Sequence, residues 1–251
     1  MIKISEANEV YKSGDTVLRP YDEFTPSIHS LLRHFHGNGL PVPKIISEND
    51  NGYEVQEFMS GTPLHPHKWS DDGLAAVAKL VADIHSASAT FKPSDGALWH
   101  PWYLRELGGD NIVFSHGDIA PWNILTDGVR PVGLVDWEFA GPIDAVTEFA
   151  RVCWLFVQLH DDDLGKLYEL PSPEKRAEQV RMMADIYGLT ASQRRNFVDR
   201  IIETVICETA HEAIDPKLTF ESTGSLWGFA WRTRSLYWIW RNRDTLTRYM
   251  C

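Results

Sequence analysis

Cysteine is scarce in this sequence, with three residues in 251, at Cys153, Cys207 and Cys251. They are widely separated, odd in number and form no CxxC pair, so neither a disulfide framework nor a zinc site is expected, and a reducing cytoplasm suits the chain. Positive charge is also short: 24 Lys and Arg stand against 35 Asp and Glu, a formal charge of -11. That balance opposes nucleic acid as a partner, because binding there is driven by cations that displace counterions from phosphates. It would suit a cationic small molecule, and it serves solubility in any case. Long apolar runs are missing too. No stretch reaches the ~18 uninterrupted apolar residues that cross a bilayer, and the tryptophan-rich end is broken by Arg232, Arg234, Arg241 and Arg243, so no membrane span is expected. Residues 1–9 lack the basic start, apolar core and small-residue cleavage site of a secretion signal. Internal repeats and low-complexity tracts are absent.

What is present is 43% hydrophobic residues, sufficient for one sizeable core or two unequal ones across a cleft. Val10, Tyr11, Thr16 and Val17 flank Ser13-Gly14-Asp15 as a predicted hairpin. Thr25-Pro26 then reads as a capping hydroxyl with proline in the first helical turn, and Ile28, Leu31, Leu32 and Phe35 keep helical spacing up to Gly37 and Gly39. Residues 44–47 and 53–59 form a second strand pair around a turn-rich connection at 48–52. Beyond residues 60–63 the character changes: Leu74, Val77, Ala78, Leu80, Val81 and Ile84 mark a helix ending near His85. The chain divides there into a small strand-rich half, 1–60, and a larger half, 61–251. Residues 112–140 return to short strand-like runs, and everything from Ala145 onward is helical in pattern apart from loops near Pro171-Ser172-Pro173 and Asp215-Pro216.

The chemistry concentrates in two polar clusters between apolar runs. One is Phe114-Ser115-His116-Gly117-Asp118-Ile119-Ala120-Pro121-Trp122-Asn123-Ile124-Leu125; the other is Val135-Asp136-Trp137-Glu138-Phe139-Ala140-Gly141. Phosphoryl transfer needs a carboxylate to accept the proton of the attacking hydroxyl and oxygen ligands for magnesium on the triphosphate. Asp118, Asn123 and Asp136 supply those groups: the first two share one short loop, and the third ends a neighbouring strand. His-Gly-Asp alone would read as turn and capping residues. With Asn123 five positions after Asp118 and a second Asp closing a Val-containing strand, the chemical reading prevails. A metal hydrolase built on His85, His100, His116 and Asp118 would need HxH or HExxH spacings that the sequence lacks.

Through His116-Gly117-Asp118, Asn123 and Asp136 the sequence resembles the aminoglycoside phosphotransferase family, kin to choline kinases and more distantly to protein kinases. The resemblance implies an α+β, protein-kinase-like two-lobed fold, with a reduced strand-rich N-lobe near residues 1–60 and a mainly helical C-lobe at 61–251. It implies a cytoplasmic enzyme with Mg2+ as cofactor, which moves the γ-phosphoryl group of ATP or GTP to a hydroxyl of a small acceptor, a cationic one being compatible with the acidic composition. Asp118 would be the catalytic base and His116 a brace of its loop. Asn123 and Asp136 would hold magnesium. Glu138 is either a further metal ligand or an exposed strand end, and Glu148 falls where the family has an Asp that braces the catalytic loop. Residues 54–59, with Glu57 and Met59, would link the lobes and meet the adenine.

The sequence departs from that pattern in the first lobe. No glycine-rich loop precedes Arg19, and Arg19 stands where a phosphate-binding lysine is expected. A guanidinium can serve phosphate bidentately; the plainer reading of Arg19 is a solvated strand end. His29 lies near the place of the lysine's glutamate partner and is expected on the surface or in packing. Glu203, Glu208, Glu212 and Asp215 read as a solvated helix face, or else as contacts for a cationic acceptor. Trp227, Trp231, Trp238 and Trp240 read as core packing, with a pocket for a cation as the alternative. Two other functions stay open at this level: a kinase of another small alcohol of the choline or homoserine type, and a nucleotide-binding protein of weak catalytic power.

Overall fold

The computed structural model describes residues 1–4, 9–214 and 226–250, so Asp215, Pro216 and Cys251 lie outside the described residues. The chain opens with β1 (Ile2–Lys3), β2 (Tyr11–Ser13) and β3 (Thr16–Pro20), then helix α1 (Thr25–Gly37), then β4 (Ile45–Asp50) and β5 (Tyr53–Glu57). These strands form one antiparallel sheet in the order β1-β2-β3-β5-β4. The β4–β5 connection is tighter than the composition of residues 48–52 suggests: Asn51 and Gly52 adopt φ of 54° and 87°, which lets a two-residue turn close the hairpin and frees Glu48, Asn49 and Asp50 to continue the strand. The start of α1 also differs from expectation. Thr25 is not the cap; the Asp22 carboxylate, through Oδ1, accepts from the backbone N–H groups of Phe24 and Thr25 and from the Thr25 hydroxyl, each at 2.9 Å. Leu31, Leu32 and Phe35, spaced on one face of α1, are fully buried.

The remainder comprises β6 (Thr62–Pro63), α2 (Asp71–Ser88), a 3₁₀ turn (Tyr103–Leu107), β7 (Ile112–Ser115), β8 (Ile124–Thr126), β9 (Pro131–Leu134) and β10 (Gly141–Asp144). Helices α3 (Ala145–Phe156), α4 (Asp162–Leu167), α5 (Pro173–Tyr187), α6 (Ala191–Arg195), α7 (Phe197–Ile214), α8 (Trp227–Arg241) and α9 (Arg243–Met250) follow. Strands β6, β8 and β9 make one small sheet, and β7 pairs with β10 in another, which sets the two polar clusters beside each other. Helix α3 is capped by Asp144 Oδ1, which accepts from Thr147 N at 2.8 Å, and it is apolar on almost every side, so it is buried nearly end to end. A single cluster of buried apolar side chains runs from α1 to α9. Phe35 and Trp137, with ring centroids 5.6 Å apart, join the α1 side to the catalytic side.

The tryptophans of α8 divide rather than pack together. Trp238 is buried beneath the Arg176 guanidinium, 3.7 Å from its ring centroid, and Trp231 stacks on Trp154 at 5.3 Å. Trp227 and Trp240 are 51% and 62% exposed, contrary to the core-packing expectation. Trp240 lies two residues past Trp238, about 200° round the helix, and Trp227 opens the first turn, where the core has ended. Among the described residues, no helix is long and apolar enough to cross a membrane.

Candidate active site

The loop between β7 and β8 is tied down by hydrogen bonds at His116, Gly117, Asp118 and Asn123. His116 is fully buried; its Nε2 donates to Val135 O at 2.9 Å, and its Nδ1 accepts from Asp118 N at 3.1 Å. Burial lowers the imidazole pKa, in keeping with a neutral ring that donates from one nitrogen and accepts at the other. Gly117 has φ of 80°, and a Cβ there would lie 2.2 Å from Phe139 O, so only glycine fits. Its N–H donates to Glu148 Oε1 at 2.6 Å, and its carbonyl accepts from Trp102 Nε1 at 2.8 Å. Glu148, buried on α3, takes a second bond at Oε2 from His85 Nε2 at 2.6 Å. His85 is in turn 2.7 Å from the Tyr187 hydroxyl through Nδ1. Burial alone would raise the Glu148 pKa, but the His85 hydrogen bond and charge outweigh it, and the net shift is downward. His85, in the last turn of α2, therefore orients a loop-bracing carboxylate.

Asp118 is held from both sides. Its Oδ2 accepts from Asn123 Nδ2 at 2.9 Å, and the same amide nitrogen reaches Asp118 O at 2.9 Å. Its Oδ1 lies 2.8 Å from an Arg151 guanidinium nitrogen, an ion pair without hydrogen-bond alignment. Burial pushes the Asp118 pKa up against the opposing charges of Arg151 and His116, and the net shift is upward, which makes it a stronger base than an exposed aspartate. Arg151, from α3, continues to Glu208 on α7 at 2.7 Å, and Glu208 also accepts from the Tyr103 hydroxyl at 2.6 Å and Arg232 Nε at 3.1 Å. Glu208 is 2% exposed, so the solvated-face expectation fails for it. It holds for Glu203, whose side chain is 53% exposed, while Glu212 pairs with Arg232 at 2.9 Å. The sequence reading passed over Arg151, although a lone charge inside the apolar run of α3 was a signal for a buried pair.

Asn123 and Asp136 sit side by side because Val135 N donates to Asn123 O at 3.0 Å. Asp136 has φ of 67°, an unusual conformation for a non-glycine residue. Its Oδ1 accepts from Arg19 at 2.6 Å. Arg19 stands opposite Glu54 across the β3–β5 ladder, and its Nε is 3.6 Å from Glu54 Oε1. Burial opposes the Arg19 charge, yet the Asp136 and Glu54 carboxylates outweigh it and raise its pKa. His29 is buried and hydrogen-bonds the other Glu54 oxygen. His29 thus belongs to packing rather than to the surface, and Arg19 is not a solvated strand end: a His29–Glu54–Arg19 chain of contacts ends at Asp136. Register across β3 and β5 created it, which spacing within one element does not reveal.

Arg19, Glu57, Met59, Asn123 and Asp136 line one cavity of about 380 Å³, walled by apolar groups including Val17, Trp122, Leu125 and Val135. The N–H groups of Glu57 and Phe58 already donate to Lys44 O and Asp15 O, at 2.8 and 2.9 Å, so those two donors are not free for a base. Glu138 lines a different cavity of about 330 Å³ with Glu9, Asp22 and Glu54, and Arg19 is common to both; burial, then the Asp136 charge, raises its pKa. Among the described residues, no three His, Cys, Asp or Glu side chains gather to hold a metal ion by themselves. Two oxygen donors on one cavity suffice when phosphate oxygens complete the shell. Asn123 and Asp136 fit that role, since Asn123 commits its amide nitrogen to Asp118 and keeps its amide oxygen for a cation.

Residues 8–111 and 97–170 match the APH phosphotransferase enzyme family. The trifolitoxin immunity protein of Rhizobium leguminosarum bv. trifolii is 38% identical over 242 residues, covering 94% of this chain and 93% of that protein. Among solved structures, amicoumacin kinase hAmiN, in complex with AMP-PNP, Ca2+ and its ligand, superposes with a TM-score of 0.66 at 11% identity, covering 98% of this chain and 87% of the other. The microcompartment-associated aminopropanol kinase superposes at 0.59 with 14% identity, covering 99% and 90%. These likenesses carry the two-lobed kinase-like α+β fold. The extent of the family match, with the close relative spanning nearly the whole chain, shows that this chain belongs to the APH phosphotransferase enzyme family.

Proposed function

We propose that this protein transfers the γ-phosphoryl group of ATP or GTP to a hydroxyl group of a small antibacterial compound. The observation that carries the reading is the junction at Asn123: its amide nitrogen fixes the Asp118 carboxylate at 2.9 Å while it lines, with Asp136 and Arg19, one cavity of about 380 Å³. A nucleoside triphosphate fits there with its base among Val17, Met59, Leu125 and Val135 and its phosphates toward Arg19, Asn123 and Asp136. Asn123 and Asp136 would hold Mg2+, which would supply neutralisation of the phosphate charge. Asp118 orients the acceptor hydroxyl and takes its proton as the acceptor oxygen bonds to the γ-phosphorus. The bond from that phosphorus to the β-phosphate oxygen breaks, and the nucleoside diphosphate leaves. Likeness to a toxin-immunity protein over 94% of the chain supports an antibacterial acceptor over a metabolite such as choline or homoserine. Use of ATP supports a cytoplasmic location.

Two expected results test the nucleotide end of the site. In the ligand-free protein Asp136 occupies Arg19 at 2.6 Å and presents negative charge where phosphates must lie. Asp136→Ala should therefore leave metal-free nucleotide binding unchanged or slightly stronger, while the gain in affinity normally brought by magnesium disappears. Calorimetric titrations of ATP with and without Mg2+ read this directly, and an undiminished magnesium effect rejects Asp136 as ligand. Arg19→Ala should remove a charge-assisted contact worth about 1.5–3 kcal/mol, weakening nucleotide binding roughly tenfold to a hundredfold. Arg19→Lys should restore part of it, because the charge returns without the planar fork. Equal affinities in all three proteins would reject the phosphate role of Arg19. Nucleotide binding with no turnover on any acceptor would favour the binding-protein reading.

A further inference from the structure

A second cavity, of about 370 Å³, lies on the helical side of the catalytic loop. Pro121 and Trp122, which follow Asp118 in that loop, form part of its wall, and Trp122 also lines the cavity of Asn123 and Asp136. One indole thus separates the nucleotide space from this one. The cavity is rich in rings: Trp122 meets His65 edge-on at 5.4 Å, and Trp231 meets His160 edge-on at 5.5 Å while its other face stacks on Trp154.

Its described lining holds no carboxylate, although the chain is acidic. The one formal cation among the described lining residues, Arg232, is matched by Glu208 at 3.1 Å and Glu212 at 2.9 Å. The Arg232 guanidinium lies 4.7 Å from the Trp231 ring centroid, so its planar face is already covered. Burial, aided by the Arg176 charge, drives the His160 pKa down to about 4, and burial with the His67 charge lowers that of His65. Both imidazoles are uncharged near neutrality. A polycation entering here would shed water and have to compete with Arg232 for Glu208 and Glu212, the carboxylates beside it, a large penalty. A flat uncharged group would gain edge contacts with the tryptophan and imidazole rings.

We infer that this cavity is the acceptor subsite and that it selects acceptors which insert an uncharged planar aromatic or heteroaromatic group, with polycationic amino sugars excluded. The inference rests on the phosphotransfer reading for the word acceptor, and it replaces the expectation that the acidic composition serves a cationic substrate: Glu208 and Glu212, the carboxylates beside the cavity's Arg232, are paired with Arg151 and Arg232.

The test titrates three probes into the full-length protein, with and without AMP-PNP and Mg2+: 4-nitrophenyl β-glucopyranoside, octyl β-glucopyranoside and kanamycin. The aromatic glycoside should bind at least threefold to tenfold more tightly than the octyl glycoside, the range an aromatic contact provides, and kanamycin should not compete with it. His65→Ala, in the loop before α2, should weaken the aromatic glycoside about threefold to tenfold and leave the octyl glycoside unaffected; Trp231→Leu should do the same where the fold is retained by circular dichroism. Kanamycin binding as tightly as the aromatic glycoside, no binding of the aromatic glycoside, or indifference of folded His65→Ala to the ring would overturn the inference. Failure of AMP-PNP to bind counts against phosphotransfer alone, because the glycoside arms are read without nucleotide as well.

Discussion

Asp118→Asn is expected to reduce kcat for phosphoryl transfer by about 10²–10⁴-fold, the range that a positioned general base contributes, with the fold and nucleotide affinity nearly unchanged. The amide keeps the size of the carboxylate but cannot take a proton from the acceptor hydroxyl. It can still offer its oxygen to Asn123 Nδ2, now 2.9 Å from Oδ2, so the loop retains its shape. Removing the charge relieves the burial that raises the Asp118 pKa, and Arg151 keeps Glu208 as a partner at 2.7 Å. Steady-state assays alongside calorimetric ATP titration and thermal melting would separate these effects. Turnover within a few-fold of the parent would remove Asp118 from the role of base.

Arg151→Met should have the largest effect on stability. Arg151 is 3% exposed and joins Asp118 at 2.8 Å to Glu208 at 2.7 Å, so its loss leaves two carboxylates facing a low-dielectric interior with fewer partners. Breaking a buried ion pair from one side costs about 3–5 kcal/mol, to be read as a lower urea midpoint at an unchanged slope. Arg151→Met combined with Glu208→Gln should recover part of the loss, because the second change removes the carboxylate left behind. Activity carries a second signature: Arg151 lowers the Asp118 pKa, so without it the acidic limb of the pH–rate profile should move to higher pH. A parental urea midpoint for Arg151→Met would show that the network adds nothing to the fold.

The parts of the site legible in the sequence are those whose chemistry is local. His116, Gly117, Asp118 and Asn123 fall within eight residues of one loop, and a loop that short must present its polar groups together whatever surrounds it. The core face of α1 was likewise readable from the spacing of Leu31, Leu32 and Phe35, since helical periodicity puts them on one side. The errors share one cause. Glu208 and Glu212 stand at i, i+4 and do share a face, but spacing within a helix is silent about what opposes that face, and here Arg151 and Arg232 oppose it. For His29 the choice between surface and packing stayed open for the same reason: its partner Glu54 is 25 residues away, on a strand.

The sequence by itself determined the reaction type, the loop that carries Asp118, and the strand-then-helix order of the chain, because each depends on residue types at short, fixed offsets. Tertiary structure alone decided which charges are partnered. It set Arg19 against Asp136 and Glu54, joined Asp118 to Glu208 through Arg151, and left no carboxylate among the described residues lining the cavity behind Trp122 in a chain whose formal charge is -11. Coulomb energies and desolvation depend on separations and burial in space, and strand register and helix packing establish those across distances that no local pattern encodes.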